Sequence, residues 1–311
     1  MEASGMSAEA RVGRVMAAAS RSVRENGDMG FLSWARSRRH KVSFHPMKAS
    51  ILVLVHDQPA LTRRCLESLR RFTTVPHELI LIDNASAEPT RSYLRRAARS
   101  WPGARLLRNE ANLEYAAAMN RAIPAARAPY QVWLNNDAFV GPEWLERLLA
   151  AVRSSPAAAA AGPCTNKSCR CGPGPRTAPP LDRLPQFARA WAMRFDGQRE
   201  EADFLAGFCF LIKSSAVARV GLLEERLRWG YEDGDYSYRL RLAGCKMLLA
   251  KDVFVYHRGR VSDEKRSSRQ RAHARHNRKV FLAKWFGDAR WIQSDIRGKW
   301  YPRRSARSLA P

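Results

Sequence analysis

Tyr130-Gln131-Val132-Trp133-Leu134-Asn135-Asn136-Asp137-Ala138-Phe139-Val140 is the stretch on which the reading of this chain turns. Gln131–Leu134 reads as a short apolar strand, and Asn135-Asn136-Asp137 stands where that strand ends. Gly141-Pro142 then stops the chain ahead of an amphipathic helix expected over Glu143–Val152. In sheets built from alternating strands and helices, ligands bind beyond the carboxyl ends of the strands. A carboxylate there, Asp137, can hold a hard divalent cation through oxygen. Asn and Asp also favour ordinary turns, so these three residues alone leave both readings open.

Upstream, Ser50–Val55 is a continuous apolar run of strand length, followed by His56-Asp57-Gln58-Pro59 as a turn. Leu61, Cys65, Leu66, Leu69 and Phe72 then recur on one helical face. Glu78–Ile82 is a second strand ending in Asp83-Asn84-Ala85-Ser86, and a helix over Thr90–Ala98 leads to a third strand, Arg105–Arg108. Continuous apolar strands alternating with helices imply an α/β fold whose mostly parallel sheet is covered on both faces. No glycine-rich fingerprint follows the first strand and no P-loop occurs, which argues against a dinucleotide oxidoreductase and a P-loop ATPase. Asp57, Asp83 and Ser86 are candidate contacts to a base and ribose, although each could equally cap a helix or shape a turn.

Downstream, Asn112–Ala122 reads as a helix, Ala157–Ala161 and Phe208–Ile212 as strands, and a helix contains Ala216–Val220. Met247–Leu249 and Val253–Tyr256 are read as two short strands, the second ending at His257. A histidine just past a strand end can coordinate a metal through a neutral ring nitrogen. Between Trp229 and Tyr236, Glu232, Asp233 and Asp235 crowd the start of a helix that stops at Gly244. One carboxylate suffices to cap a helix. Three repel one another, which is easier to understand where one takes up a proton or lies near a cation. Gly162–Pro185 is irregular, and its C-x4-C-x-C group, Cys164, Cys169 and Cys171, matches no ordinary zinc knuckle; the thiols either bind a metal or only shape a loop.

The 311 residues carry a formal charge of +25. Residues 1–50 contribute +5 and residues 258–311 contribute +12, so about two thirds of the excess lies in flanking segments. Such segments suit an anionic partner. Residues 1–48 are expected to be a basic, poorly ordered extension with a short helix near Ala8–Val23. Residues 49–257 are expected to form one α/β domain and 258–311 a basic helical extension. No apolar run is long enough to span a bilayer, no secretion signal is evident, and six cysteines without a regular framework suit a reducing cytoplasm. In the C-terminal segment, His273, Arg275, Arg278, Lys279, Lys284 and Arg290 interleave with Val280, Phe281, Leu282, Trp285, Phe286 and Trp291. That pattern fits either a basic amphipathic segment lying at the inner membrane face or a helix packed on the preceding α/β domain.

The chain from Ser50 to about Trp285 resembles glycosyltransferase family two, in its rhamnosyltransferase-like bacterial branch. The segments that carry the likeness are ILVLVHDQPALTRRCLESL, ELILIDNAS, RNEANLEYAAAMN, VWLNNDAFVGPEWLERLL, AGFCFLIK, GYEDGDYSYRLRLAG and VFVYH. The resemblance implies a GT-A fold, Rossmann-like, and inverting transfer from a nucleotide-diphosphate sugar to a hydroxyl on a glycan, lipid-linked or other acceptor. It assigns Val55, His56, Asp57, Asp83, Ser86, Asn112, Asn120, Asn135, Asn136 and Asp137 to the donor side. It makes Asp137 and His257 ligands of Mg²⁺ or Mn²⁺ and Asp233 the catalytic base, and sets Gly207, Trp229, Gly230 and Glu232 on the acceptor side. Val55 replaces the usual Thr, and Glu114-Tyr115 replaces a usual Gly and aromatic, departures that bear on donor preference.

The chemistry agrees with that assignment. A departing nucleoside diphosphate gains charge that a divalent ion offsets, and a hydroxyl acceptor needs a positioned carboxylate to take its proton. Of the three acids, Asp235 is explained by capping or by the helix dipole, while Asp233 has the shorter, more fixed stem than Glu232. The rivals are a basic nucleic-acid-binding protein, a nucleotidyltransferase and a nucleotide-sugar-binding relative without catalysis. The first lacks any recognition motif, so no specific nucleic acid is expected. The second lacks a glycine-rich basic phosphate loop, and the intact acids speak against the third.

Overall fold

The computed structural model describes residues 48–166, 174–175, 177–228, 230–259 and 268–286. The N-terminal extension, Cys169, Cys171, Trp229, Arg290 and Trp291 lie outside the described residues. In chain order the first half comprises β1 (Ala49–Val55), α1 (Pro59–Phe72), β2 (His77–Asn84), α2 (Thr90–Arg99), β3 (Arg105–Asn109), α3 (Glu114–Ala122), β4 (Tyr130–Asn135), β5 (Ala138–Phe139) and α4 (Trp144–Arg153). There follow β6 (Ala158–Cys164), α5 (Leu184–Arg194), β7 (Arg199–Glu201), β8 (Cys209–Lys213), α6 (Ser214–Val220), α7 (Glu232–Leu242), β9 (Lys246–Phe254), β10 (Tyr256–His257) and α8 (Ser268–Phe286).

Eight strands form one sheet in the order β3-β2-β1-β4-β8-β6-β9-β7. The first four run parallel. β8 lies antiparallel between β4 and β6, β6 and β9 are parallel, and β7 is an antiparallel edge. The chain steps outward from β1 to β3 and then returns to β4 on the other side of β1. This reversal is the topological switch point where open α/β sheets bind ligands. The register sets Val55 beside Asp83, and Leu54 beside Asn135, so three loops open at one edge.

Alternation along the buried strands divides the core in two. Ile51, Val53 and Val55 pack with Leu66 and Leu69 of α1, Leu94 of α2 and Leu148 of α4. Leu52, Ile80 and Ile82 face Met119 of α3, Val217 of α6 and Leu240 of α7. On that second side Trp133 stacks on Phe210 at 5.5 Å and meets Tyr236 edge-on at 5.0 Å. Such aromatic pairs add to the apolar area they bury.

Two expectations are corrected. The two short strands expected near 247–256 are one nine-residue strand, β9, with β10 following. Lys251 and Asp252 interrupt the apolar pattern without ending the strand, because Asp252 is buried against Arg147 at 3.1 Å and accepts from the Gly197 N–H. The helix expected from Asn112 begins at Glu114, whose N–H donates to the side-chain Oδ1 of Asn112 at 2.9 Å. Helix α5 was not anticipated beside a Gly/Pro-rich stretch, although Leu184, Ala188, Trp191 and Ala192 give it a buried helical face.

Candidate active site

The loop after β1 is held in an unusual backbone shape, with Asp57 and Gln58 at φ 55° and 59°. Non-glycine residues in that region are uncommon and need support. The support comes from the loop after β2: the Asp57 N–H donates to Ser86 Oγ at 3.0 Å, and Asp57 Oδ1 accepts the Ala87 N–H at 2.8 Å. His56 Nδ1 donates to the Asn84 carbonyl at 2.9 Å. Asp83 is buried, accepts the Ser86 N–H at 2.8 Å and pairs with Arg108. Asp83 and Ser86 therefore shape the loop, whereas His56 and Asp57, both half-exposed, remain open to a ligand. The Val55 side chain lies wholly in the core, so any contact it makes to a donor is through backbone.

Asn84, not singled out by its sequence, is the hub of this edge. Its buried amide donates to Asn112 Oδ1 at 2.9 Å and the Glu114 carbonyl at 3.2 Å. Its oxygen accepts from Asn109 and from the Leu113 N–H. A polar residue closing an apolar strand was the available signal. Asn120 does not join this group: both ends of its amide are spent on Leu223, and it also donates to Glu225 at 2.9 Å.

Beyond β4, Asn136 donates to Thr62 Oγ1 at 2.9 Å, while the Asn135 N–H donates to the Phe208 carbonyl. A two-stranded ribbon then pairs Ala138 with His257 and Phe139 with Tyr256. This pairing brings Asp137 Oδ1 to 3.3 Å from His257 Nε2. The other Asp137 oxygen accepts the Gly259 N–H at 3.1 Å. Burial alone would raise the Asp137 carboxyl, but the His257 hydrogen bond and charge, with the Gly259 N–H, hold it below its ordinary value. Among the described residues no third His, Cys, Asp or Glu joins the pair. One carboxylate and one imidazole fit an ion that takes its other ligands from substrate phosphate and water.

The acid cluster resolves into three separate roles. Asp233 Oδ2 accepts the Gly207 N–H at 3.1 Å and Oδ1 accepts the Gly234 N–H at 2.8 Å. Burial pushes its pKa up against those hydrogen bonds. Glu232 is buried, its Oε2 has no hydrogen-bond partner among the described residues, and burial followed by the Asp233 charge pushes its pKa up to about 8. Asp235 lies in the first turn, as the dipole reading had it, but it caps no backbone N–H. It is fully buried in ion pairs with Arg239 at 2.9 Å and Lys284 at 2.8 Å, and it accepts the Trp285 indole N–H at 2.9 Å.

Those last contacts belong to α8. Phe281 and Leu282 bury Leu227 in a small core of their own, and the buried Asn277 amide accepts the Arg228 N–H and donates to the Gly230 carbonyl at 2.8 Å. The helix therefore fastens the loop that leads into Glu232 and Asp233. Its apolar side chains Phe281, Leu282 and Trp285 are spent on the domain, the second of the two readings given for that segment. No helix among the described residues is long and apolar enough to cross a membrane.

Gly207 and Phe208 tie the two halves of the site together. Gly207 binds Asp233, and the Phe208 ring lies parallel to His257 with centroids 4.6 Å apart. Tyr115 closes over the same segment, its hydroxyl donating to the Gly207 carbonyl at 3.4 Å.

Comparison with known proteins agrees with this fold. Residues 50–221 match the family described as Glycosyl transferase family 2. The chain is 29% identical over 259 residues to N-acetylglucosaminyl-diphospho-decaprenol L-rhamnosyltransferase of Mycobacterium tuberculosis, covering 73% of this chain and 83% of that one. It is 26% identical over 234 residues to validoxylamine A glucosyltransferase of Streptomyces hygroscopicus subsp. limoneus, covering 67% and 51%. Among solved structures, GalNAc-T7 with UDP, GalNAc and Mn²⁺ superposes with a TM-score of 0.58 at 18% identity, over 77% of this chain and 48% of that one. The mannosyltransferase PcManGT from Pyrobaculum calidifontis, with GDP-Man and Mn²⁺, gives 0.56 at 15% identity, over 90% and 75%. The family match spans more than half of the chain, which therefore belongs to glycosyltransferase family 2, as a GT-A glycosyltransferase similar to the rhamnosyltransferase branch.

Proposed function

We propose that the protein transfers a sugar, with inversion, from a nucleotide-diphosphate donor to a hydroxyl on a glycan or lipid-linked acceptor. The observation that carries this reading is the Gly207-Phe208 link, which joins the Asp233 carboxylate to the Asp137–His257 pair. His56 and Asp57 at the switch point are the exposed groups for base and ribose. A divalent ion, Mg²⁺ or Mn²⁺, held by Asp137 and His257 would offset the charge that grows on the leaving diphosphate.

Asp233 takes the proton of the acceptor hydroxyl as its oxygen attacks the anomeric carbon. The bond from that carbon to the diphosphate breaks in the same displacement, and the product carries the opposite configuration. Glu232, holding a proton beside it, leaves the pair with one negative charge, the form that acts as a base. One relative is named for N-acetylglucosaminyl-diphospho-decaprenol and another for validoxylamine A, so the lipid-linked acceptor rests on the first likeness. Such an acceptor suits a cytoplasmic enzyme working at the inner membrane face.

The test is a panel of UDP-, GDP- and dTDP-sugars with Mn²⁺, read by thermal stabilisation. A ligand at 100 times its Kd adds about 2.7 kcal/mol. Stabilisation by one nucleotide series, followed by product of inverted configuration, supports the reading; retained configuration overturns it.

A further inference from the structure

Helices α1 and α2 carry Arg63, Arg64, Arg70, Arg71, Arg95, Arg96 and Arg99, all exposed. The exposed acids among them are Glu67 and, at the turn before α2, Glu88. Both helices cover the same side of the sheet, since Leu66 and Leu69 of α1 and Leu94 and Ala97 of α2 enter one core. Elsewhere arginines find carboxylates, as Arg147 does with Glu143, Asp196 and Asp252. Among the described residues none of these seven forms an ion pair. So many unpaired like charges on one face repel, and an anionic partner relieves that repulsion.

Between the helices lies a groove of about 320 Å³, floored by Leu66, Ala97 and Trp101 and rimmed by Arg63, Arg70 and Arg96. Its aromatic residues are already covered: Arg63 lies over Tyr93 at 5.4 Å, and Arg70 over Trp101 at 5.1 Å. Trp101 is buried, so the groove offers no platform on which a nucleic-acid base could stack. Cations above an apolar, aromatic floor suit instead the headgroup layer of an anionic bilayer.

We propose that the α1–α2 face docks this protein on an anionic phospholipid surface. Both helices start at the sheet edge that carries the site, α1 two residues after Asp57 and α2 four after Ser86. Arg70, Arg71, Arg96 and Arg99 lie in their last turns, so docking holds that edge within one helix length, roughly 21 Å, of the surface. The usefulness of that placement rests on the lipid-linked acceptor proposed above; the docking itself does not.

The experiment is co-sedimentation of the full chain with phosphatidylglycerol vesicles and with phosphatidylcholine vesicles, without donor or acceptor. Wild-type protein should bind the first, release in high salt and leave the second unbound. The triple variant R64Q/R95Q/R99Q, whose side chains are exposed and form no ion pair among the described residues, should partition about 100-fold more weakly at unchanged Tm. R63Q/R70Q/R96Q tests the groove in the same way. Equal binding to both vesicles, or unchanged binding of both variants, overturns the proposal. Because no sugar transfer is measured, either result leaves the transferase reading to its own test.

Discussion

The backbone N–H of Gly207 donates to Asp233 Oδ2 at 3.1 Å, so the proposed base is aimed by the segment leading into β8 as well as by its own helix. Asp233→Asn keeps the shape and removes the proton acceptor. kcat should fall on the order of 10²–10⁴-fold while donor affinity by calorimetry stays near wild type. Near-normal kcat in Asp233→Asn, with the loss appearing in Glu232→Gln, would move the base by one residue.

A methyl group on Gly207 would sit 3.3 Å from Asp233 Cβ and 3.7 Å from Oδ2. Gly207→Ala should therefore shift the carboxylate by tenths of an ångström. Misplacement of that size lowers kcat by roughly tenfold, since 1 Å can cost about 100-fold. Thermal melting and donor binding should change little, which separates misplacement from unfolding.

The Asp137–His257 pair predicts a metal requirement. Chelation should abolish transfer, with Mn²⁺ or Mg²⁺ restoring it. His257→Ala should weaken Mn²⁺ binding by at least about tenfold, read by electron paramagnetic resonance in the presence of a nucleoside diphosphate. Undiminished activity with metal verified absent would sink the site.

Glu232 titrates at about 8 in the folded protein, against 4.5 as its ordinary value. Between those values the folded state binds the extra proton, so the unfolded state gains relative stability as pH rises. The Glu232 contribution to stability is therefore fully present below about 4.5 and is lost progressively toward pH 8. Glu232→Gln should melt closer to wild type at pH 5 and above it at pH 8. A parallel pair of melting curves across that window would refute the shift.

Asn277 fixes the loop before the acids through Arg228 and Gly230, from a helix that contributes no group to the proposed chemistry. Asn277→Ala strands two backbone groups and should cost about 1–3 kcal/mol in stability. The specific signature is a raised KM for acceptor with donor affinity unchanged. An equal effect on donor and acceptor would mean that the helix only supports the fold.

Much of this was legible along the chain. The runs Ser50–Val55 and Glu78–Ile82 announce parallel strands because strands buried on both faces need apolar residues throughout. Asp57, Asp83, Asp137 and Asp233 stand out because carboxylates at the ends of apolar elements lie where open α/β sheets bind ligands. Local periodicity and composition are properties of neighbours in sequence, so they survive without coordinates.

The tertiary structure alone decided how those residues divide the work. Asp83 and Asp57 look equivalent in sequence, yet Arg108 and the Ser86 N–H occupy the first and leave the second open. Asp235 and Glu232 lie in one tetrapeptide, yet Lys284, Arg239 and Trp285 neutralise the former while burial protonates the latter. Asp137 meets His257 only because β5 pairs with β10 across a long intervening stretch of chain. Desolvation and charge pairing depend on which remote segments close around a carboxylate, and that is set by packing, beyond the reach of any local pattern.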